Sequence, residues 1–443
     1  MTAALTESLA KRCAALRFTD LPDEVVDVAQ LCILDWLGVT LAGSSEPGPT
    51  ILLGLQSPAA ENGVSVIGHP GVRLSVQDAA LVNGTSSHVL DFDDVNTVLI
   101  GHPSVAILGA ALAVAESLKL SGRQLITAFV AGYETACRVA AAVGPTSYLR
   151  GFHNTATIGT FGAAAAAAHL MNLDAERTQT ALGLAATQAA GLGCMVGTMT
   201  KSLHAGRACQ NGVFAARLAE RGFTANQSAI EAPKGFAATA TGHCDDAAGL
   251  ADPPCGWHVL NNLFKFDASC YMTHSALAGI RDLMATNAFT ADDLSAIRVH
   301  LGDLEIATCA LPRPQTGLEV KFSVAHLVAM AALQRPTTVI DDADAHDPDV
   351  VALRSKVTVT ADGTSGAPTL VEVTLKDGGR MTAAHDVNTP DPDIEKTRDR
   401  VWEKFLAVTE PLLGDERAQA VIAAAASLRQ DTDLSGLLTL CGS

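Results

Sequence analysis

LVNGTSSHVLDFDDVNTVLIGHPSVAILGAALAVAESL, residues 81–118, is the stretch from which the fold is read. Two segments of small and apolar residues, VQDAALVNGTSSHVL (76–90) and VAILGAALAVAESL (105–118), have the look of tightly packed helices. Between and beside them His88, Asp91, Asp93, Asp94 and His102 crowd together. Three carboxylates and two imidazoles are costly to bury and hard to explain by stability. The bland alternative is a loop whose acids cap the following helix and face water. The local sequence does not choose between the two, so the decision rests on the rest of the chain.

Outward from that stretch the chain stays helical. LPDEVVDVAQLCILDWLGVTLAG (21–43) opens on Pro and acids and closes on Gly43, as a capped helix does. From about 74 to 222 nearly everything reads as helix, clearest in GTFGAAAAAAHLMNLDAERTQTALGLAATQAAG (159–191), where Asp174 starts a new helix. Residues 268–395 change texture. IRVHLG (297–302), KVTVTAD (356–362) and TLVEVTLKDGGRMTAAHDV (369–387) alternate like strands, the last as a hairpin turned by Asp377-Gly378-Gly379. Helices are expected over 273–286 and 321–334, an acidic loop over 338–349, and helix again over 392–413 and 415–428. The expected fold is mainly α with an α+β insertion: a helical domain over 1–267, a smaller α/β lid domain over 268–394, and C-terminal helices from 395–443 returning to the first.

Composition agrees. Of 443 residues 48% are hydrophobic, 17% charged and only 4% aromatic, which favours close-packed helices over a β-sandwich. The net charge of −17 argues against nucleic acid or an anionic membrane as partner. Charges interrupt the N-terminal segment MTAALTESLAKRCAALRF, and no run of about twenty uninterrupted apolar residues occurs, so neither a signal sequence nor a membrane span is expected. Ten scattered cysteines without a CxxC pair read as reduced, mostly buried thiols of a cytoplasmic protein.

Four further polar spots interrupt bland surroundings. His153 follows Gly151-Phe152 and, taken alone, reads first as a cap or a satisfied core group. Lys201, His204 and Arg207 fall in seven residues, with Lys201 and His204 on one helix face and Arg207 one turn on. Lys265 stands where helix gives way to the α/β segment, and Lys321 in a turn that feeds an apolar helix. Cations gathered against Asp91 and several histidines are what a di- or tricarboxylate pocket needs, holding carboxylates and moving a proton.

The chain resembles the MmgE/PrpD family over nearly its whole length. The likeness rests on residues 21–43, NGTSSHVLDFDDVN (83–96) with HPS (102–104), AGYETACRV (131–139), GFHNTATIGTFGAAAAA (151–167), TKSLHAGRACQNG (200–212), KFDASCYMTHSA (265–276) and QTGLEVKFS (315–323). It implies a homodimer, an active site in a cleft between the two domains, and no metal or organic cofactor. Matched one by one, the family's catalytic positions fall on Asp91, His102, His153, Lys201 and Lys265. His204 and Arg207 join them by motif only, and Lys321 is added as a carboxylate-binding cation. Where the family's decarboxylases carry Thr and His, this chain has Val95 and Cys270.

The chemistry implied is proton abstraction next to a substrate carboxylate, with the negative carbon stabilised by fixed cations. Lys201 and Lys265, helped by Arg207, would absorb that charge, and His153 and His102 would serve as base and acid with Asp91 orienting one of them. A neighbouring cation can also lower a lysine's pKa, which leaves Lys265 open as a base. Loss of the two decarboxylase positions tilts the expectation to epimerisation of an amino- or imino-dicarboxylate. Dehydration of a 2-methylcitrate-like acid comes next, then decarboxylation of the cis-aconitate type. Two other classes remain. A magnesium-dependent prenyl or terpene synthase would use the DFDD aspartates but needs a second acidic motif that the chain lacks. A non-catalytic helical scaffold would scatter the basic residues over a solvated face.

Overall fold

A computed structural model describes residues 4–59, 61–430 and 433–442. The chain divides into two compact units, one of residues 1–195, 199–264 and 391–443, the other of 196–198 and 265–390.

The first unit is helical. Val76–His88 is started by Ser75, whose hydroxyl accepts the Asp78 amide, and Pro103–Ser117 by a proline that lacks the amide a first turn leaves unpaired. Gly122–Val143 carries a capping box of Ser121 and Gln124, and Ala175–Ala186 begins at Asp174. Within 159–191 the new helix expected from Asp174 is present: Gly159–Leu170 ends before 171–174, and Ala175–Ala186 follows. Met199–Glu220 packs mainly on Val76–His88 and Gly159–Leu170. It approaches the first of these backbone to backbone. A Cβ at Gly206 would lie 2.2 Å from Thr85 Oγ1 and 2.3 Å from the Leu81 carbonyl, and one at Gly84 2.9 Å from the Gly206 Cα. Only glycine permits that crossing.

Asp23–Gly43 and Gly122–Val143 are long and apolar enough to cross a bilayer, a length of apolar helix that the charge-interrupted sequence did not lead one to expect. Most of each is buried inside the protein, and Asp35 within the first is paired to a lysine, as a core helix allows. The C-terminal helices Ile394–Leu413 and Asp415–Ser427 belong to this unit, and the former packs along Asp23–Gly43.

The second unit holds a four-stranded sheet in the order Val357–Thr360, Leu294–His300, Thr369–Leu375, Arg380–His385. The first pair is parallel and the other two antiparallel, in registers such as Ile297 with Val357 and Val299 with Val371. The hairpin turns at 376–379, with Gly378 at φ +93° and the Leu375 amide donating to the Gly379 carbonyl at 2.8 Å. Alternation places Ile297, Val299, Val371 and Val373 on one face, joined by Leu294 through a register irregularity at 294–296, and the face is covered by His274–Asn287 and Val324–Ala332. The expected acidic loop is shorter than the sequence indicates, because Asp347 caps a helix over Pro348–Arg354.

Candidate active site

The polar segment at 89–102 lies inside the first unit, and its acids do not face water. Asp91, Asp93 and Asp94 are at most 3% exposed, and His88 is 1% exposed. The segment is pinned at several points. Val95 and Leu263 exchange backbone hydrogen bonds of 2.9 Å, Asn96 Oδ1 accepts the Val98 and Leu99 amides, and the His102 amide donates to Thr155 Oγ1 at 3.1 Å. Asp91 is held at φ +52°, the left-handed region, which costs on the order of 1–3 kcal/mol and persists only where the surroundings over-determine it.

The capping reading is half right. Asp94 accepts the Ser104 amide at 3.3 Å and the Ser104 hydroxyl, in the first turn of Pro103–Ser117. It does so in the interior, where burial raises its carboxyl to about 7, with Asp35 adding to the rise and the Ser104 hydroxyl opposing it.

The other two acids organise the imidazoles. Asp93 lies 2.9 Å from His88 Nδ1 and 2.8 Å from His102 Nδ1, and the latter also faces the Asp94 carbonyl at 3.1 Å. Carboxylate and carbonyl oxygens accept, so each Nδ1 carries a proton and donates it. Burial alone would raise the Asp93 carboxyl, but the two imidazoles hold it well below its usual range. Lys201 Nζ lies 3.0 Å from His88 Nε2 and 3.2 Å from Asp91 Oδ2. The ammonium can only donate, so His88 Nε2 is its acceptor and His88 is neutral. Consistent with that, burial lowers the His88 pKa, and Lys201 adds to the effect against the pull of Asp93. His102 Nε2 stands 3.9 Å from Asp91 Oδ1, on the side away from Asp93.

A second imidazole pair completes the cluster. His153 Nδ1 and His204 Nδ1 are 3.0 Å apart, so one donates and the other accepts, and the two rings hold opposite tautomers. The backbone of His153 is fixed by its amide on the Gly191 carbonyl and by its own carbonyl, which receives the Ala156 and Thr157 amides. Burial drives the His153 pKa well below 6.5, with Lys201 reinforcing it, and brings His204 to about 4. The ring of His88 stacks 6.0 Å from that of His153 and meets that of His102 edge-on at 4.5 Å.

The structure thus brings Asp91, His102, His153, Lys201 and His204 together. It adds His88 and Asp93, which the sequence displayed in the same crowd without marking their role. Arg207 is not brought to the cluster. It is exposed and bonded to Gln210. Six residues along a helix is about 600°, which turns Arg207 some 120° away from the face that Lys201 presents. Lys265 and Lys321 belong to the second unit and are both buried; the Lys321 carbonyl accepts the Cys270 amide at 2.9 Å. Val95 is buried in its backbone pairing with Leu263, and Cys270 is buried beside Cys309.

Among the described residues, His88, Asp93 and His102 have donor atoms within 4.8 Å of one another, close enough to hold a metal ion. An ion there would displace both Nδ1 protons from Asp93 and sit near the Lys201 ammonium. The donor set therefore fits a hydrogen-bonded His–Asp–His relay better than a metal centre.

A buried lysine against a carboxylate and a neutral imidazole, with three more imidazoles alongside, can move a proton and stabilise nearby negative charge. The protein is similar to cis-aconitate decarboxylase from Homo sapiens, 28% identical over 99% of this chain and 95% of that one. It is similar also to cis-aconitate decarboxylase from Aspergillus terreus, 25% identical over 98% and 95%, and to the cis-aconitate decarboxylase-like protein oryM from Aspergillus oryzae, 27% identical over 98% and 97%. The MmgE/PrpD N-terminal domain matches residues 7–246, which carry the whole cluster, and the MmgE/PrpD C-terminal domain matches residues 268–430. The chain belongs to the MmgE/PrpD family.

Proposed function

We propose that the protein is a lyase acting on a small polycarboxylate through a carbanion-like intermediate, with cis-aconitate as the first substrate to try. The observation that carries this reading is the Lys201 ammonium lodged between Asp91 and a neutral His88, inside a cage of imidazoles. The epimerisation towards which the sequence leaned has no counterpart in the names of these relatives, which favour the lyase alternative.

In decarboxylation the bond from carbon to the departing carboxylate breaks, and its electron pair moves into the adjacent alkene. The charge spreads onto a second carboxylate, a proton is taken up at carbon, and carbon dioxide leaves. Lys201 is assigned to offset the developing charge, with Asp91 fixing its position. His102 is assigned to deliver the proton, and His153, which its surroundings keep neutral, is assigned as a proton acceptor beside it. Asp93 holds His102 with Nδ1 protonated, leaving Nε2 as the nitrogen that exchanges a proton with substrate. Dehydration would use the same charge stabilisation and expel hydroxide instead. On the second unit, Lys265 and Lys321 are proposed as anchors for substrate carboxylates, to be tested by a rise in KM in Lys265→Met and Lys321→Met. Assembly as a homodimer is proposed as well, and light scattering decides it.

The test is incubation with cis-aconitate, and in parallel with a 2-methylcitrate-type hydroxy acid, in deuterated water under proton NMR. Release of carbon dioxide with one deuteron on the product carbon supports decarboxylation, and alkene formation from the hydroxy acid supports dehydration. If both compounds persist and no deuterium enters next to a carboxylate, the reading is refuted.

A further inference from the structure

Behind the cluster lies a buried cation that the chemistry above does not use. Lys404, on the C-terminal helix Ile394–Leu413, has a side chain only 4% exposed. Its Nζ is 2.6 Å from Asp35 Oδ1, whose side chain is 2% exposed, and donates a 2.5 Å hydrogen bond to the Phe92 carbonyl. The same ammonium sits 4.1 Å over the Phe92 ring. Phe92 is the residue between Asp91 and Asp93, so its carbonyl belongs to the turn that aims both carboxylates.

We propose that Lys404 is a positioning residue: its ammonium, balanced by Asp35, grips the Phe92 carbonyl and so fixes the turn that presents Asp91 to Lys201 and Asp93 to the two imidazoles. The inference rests on the reading of that turn as part of the active site. Three observations support it. A buried ion pair is on average no more stabilising than well-packed apolar residues, so charge balance alone is a weak reason to keep one. Here the cation has a third partner, and that partner is backbone of the turn. The turn also needs restraint, because Asp91 is held at φ +52°. On its far side Asp94 ties the segment to Ser104, so the turn is held from two sides.

The test compares two double variants of the full chain: Asp35→Asn with Lys404→Met, and Asp35→Asn with Lys404→Gln. Both remove the buried charges, and only glutamine can still donate to the Phe92 carbonyl. The methionine variant is expected to have a thermal midpoint close to that of the glutamine variant. Its kcat should nevertheless be lower by about 30–100-fold and its KM changed by less than about threefold, the loss typical of misplaced groups. Nitrogen-15 NMR of the imidazoles supplies a readout independent of substrate: the protonated Nδ1 signals of His88 and His102 shift or broaden in the methionine variant and are kept in the glutamine variant. Equal kcat and equal imidazole signals in the two variants overturn the proposal. If the wild type fails on every polycarboxylate, the proposed function falls, and the imidazole signals still decide the role of Lys404. Should the chain carrying Asp35→Asn not fold, Asp35→Leu replaces it and the same comparison is read.

Discussion

Replacing Lys201 by methionine removes the ammonium that contacts both Asp91 and His88. At 3.2 Å, and with an effective dielectric constant of about 20, its attraction for the Asp91 carboxylate is about 5 kcal/mol. Breaking one half of such a pair commonly costs about 3–5 kcal/mol unless the stranded carboxylate takes up a proton. Two effects should therefore appear together, one in the imidazole titrations and one in the kinetics. His153 and His88, whose pKa values are lowered first by burial and then also by Lys201, titrate nearer to 6.5. Loss of the cation from a developing negative charge should cost about 10²–10³ in kcat/KM. The assays are carbon dioxide release from cis-aconitate and an NMR titration of the imidazoles from pH 4 to 8. A variant with kcat/KM within about threefold of wild type and unmoved imidazole titrations would refute the assignment of Lys201.

Arg207→Ala should leave kcat/KM within about threefold and stability within about 0.5 kcal/mol, since the side chain is solvent-exposed and bonded to Gln210; steady-state kinetics and urea denaturation check both. Gly206→Ala drives a methyl group onto Thr85 and the Leu81 carbonyl, and a drop in urea stability of about 3 kcal/mol or more is expected, with lower kcat at temperatures where the variant is still folded. Asp94 titrates at about 7 in the fold against 3.8 unfolded. Between those values the native state keeps a proton that the unfolded chain has released, so this group's contribution favours the fold as pH falls and costs up to about 4 kcal/mol above pH 7. Asp94→Asn should accordingly gain stability relative to wild type as pH rises from 4 to 8, and a difference that stays flat across that range contradicts the shift.

Much of this was legible in the sequence. The helices from 23–43 to 199–220, the hairpin at 369–385 and the crowd at 88–102 follow from periodicity, caps and turn residues. What escaped has identifiable causes. Arg207 lies close to Lys201 in sequence, but the helix carries it round to solvent. The roles of His88 and Asp93 depend on the path of the 89–102 segment, whose left-handed Asp91 and bridge to Leu263 no local pattern announces. The contact of Lys404 with Phe92 spans 312 positions, and nothing near either residue marks the other as its partner.

The glycine crossing between Val76–His88 and Met199–Glu220 has a consequence for anyone who would borrow this chemistry. The spacing of Lys201 from His88 is dictated by two main chains in contact, not by rotamers that a designer could choose. Grafting the same lysine, histidine and aspartates onto an ordinary helix pair, whose axes stand about 8–10 Å apart, would reproduce the composition without the reach. A portable version of the centre would have to import the bare, side-chain-free seam first and the reactive groups second.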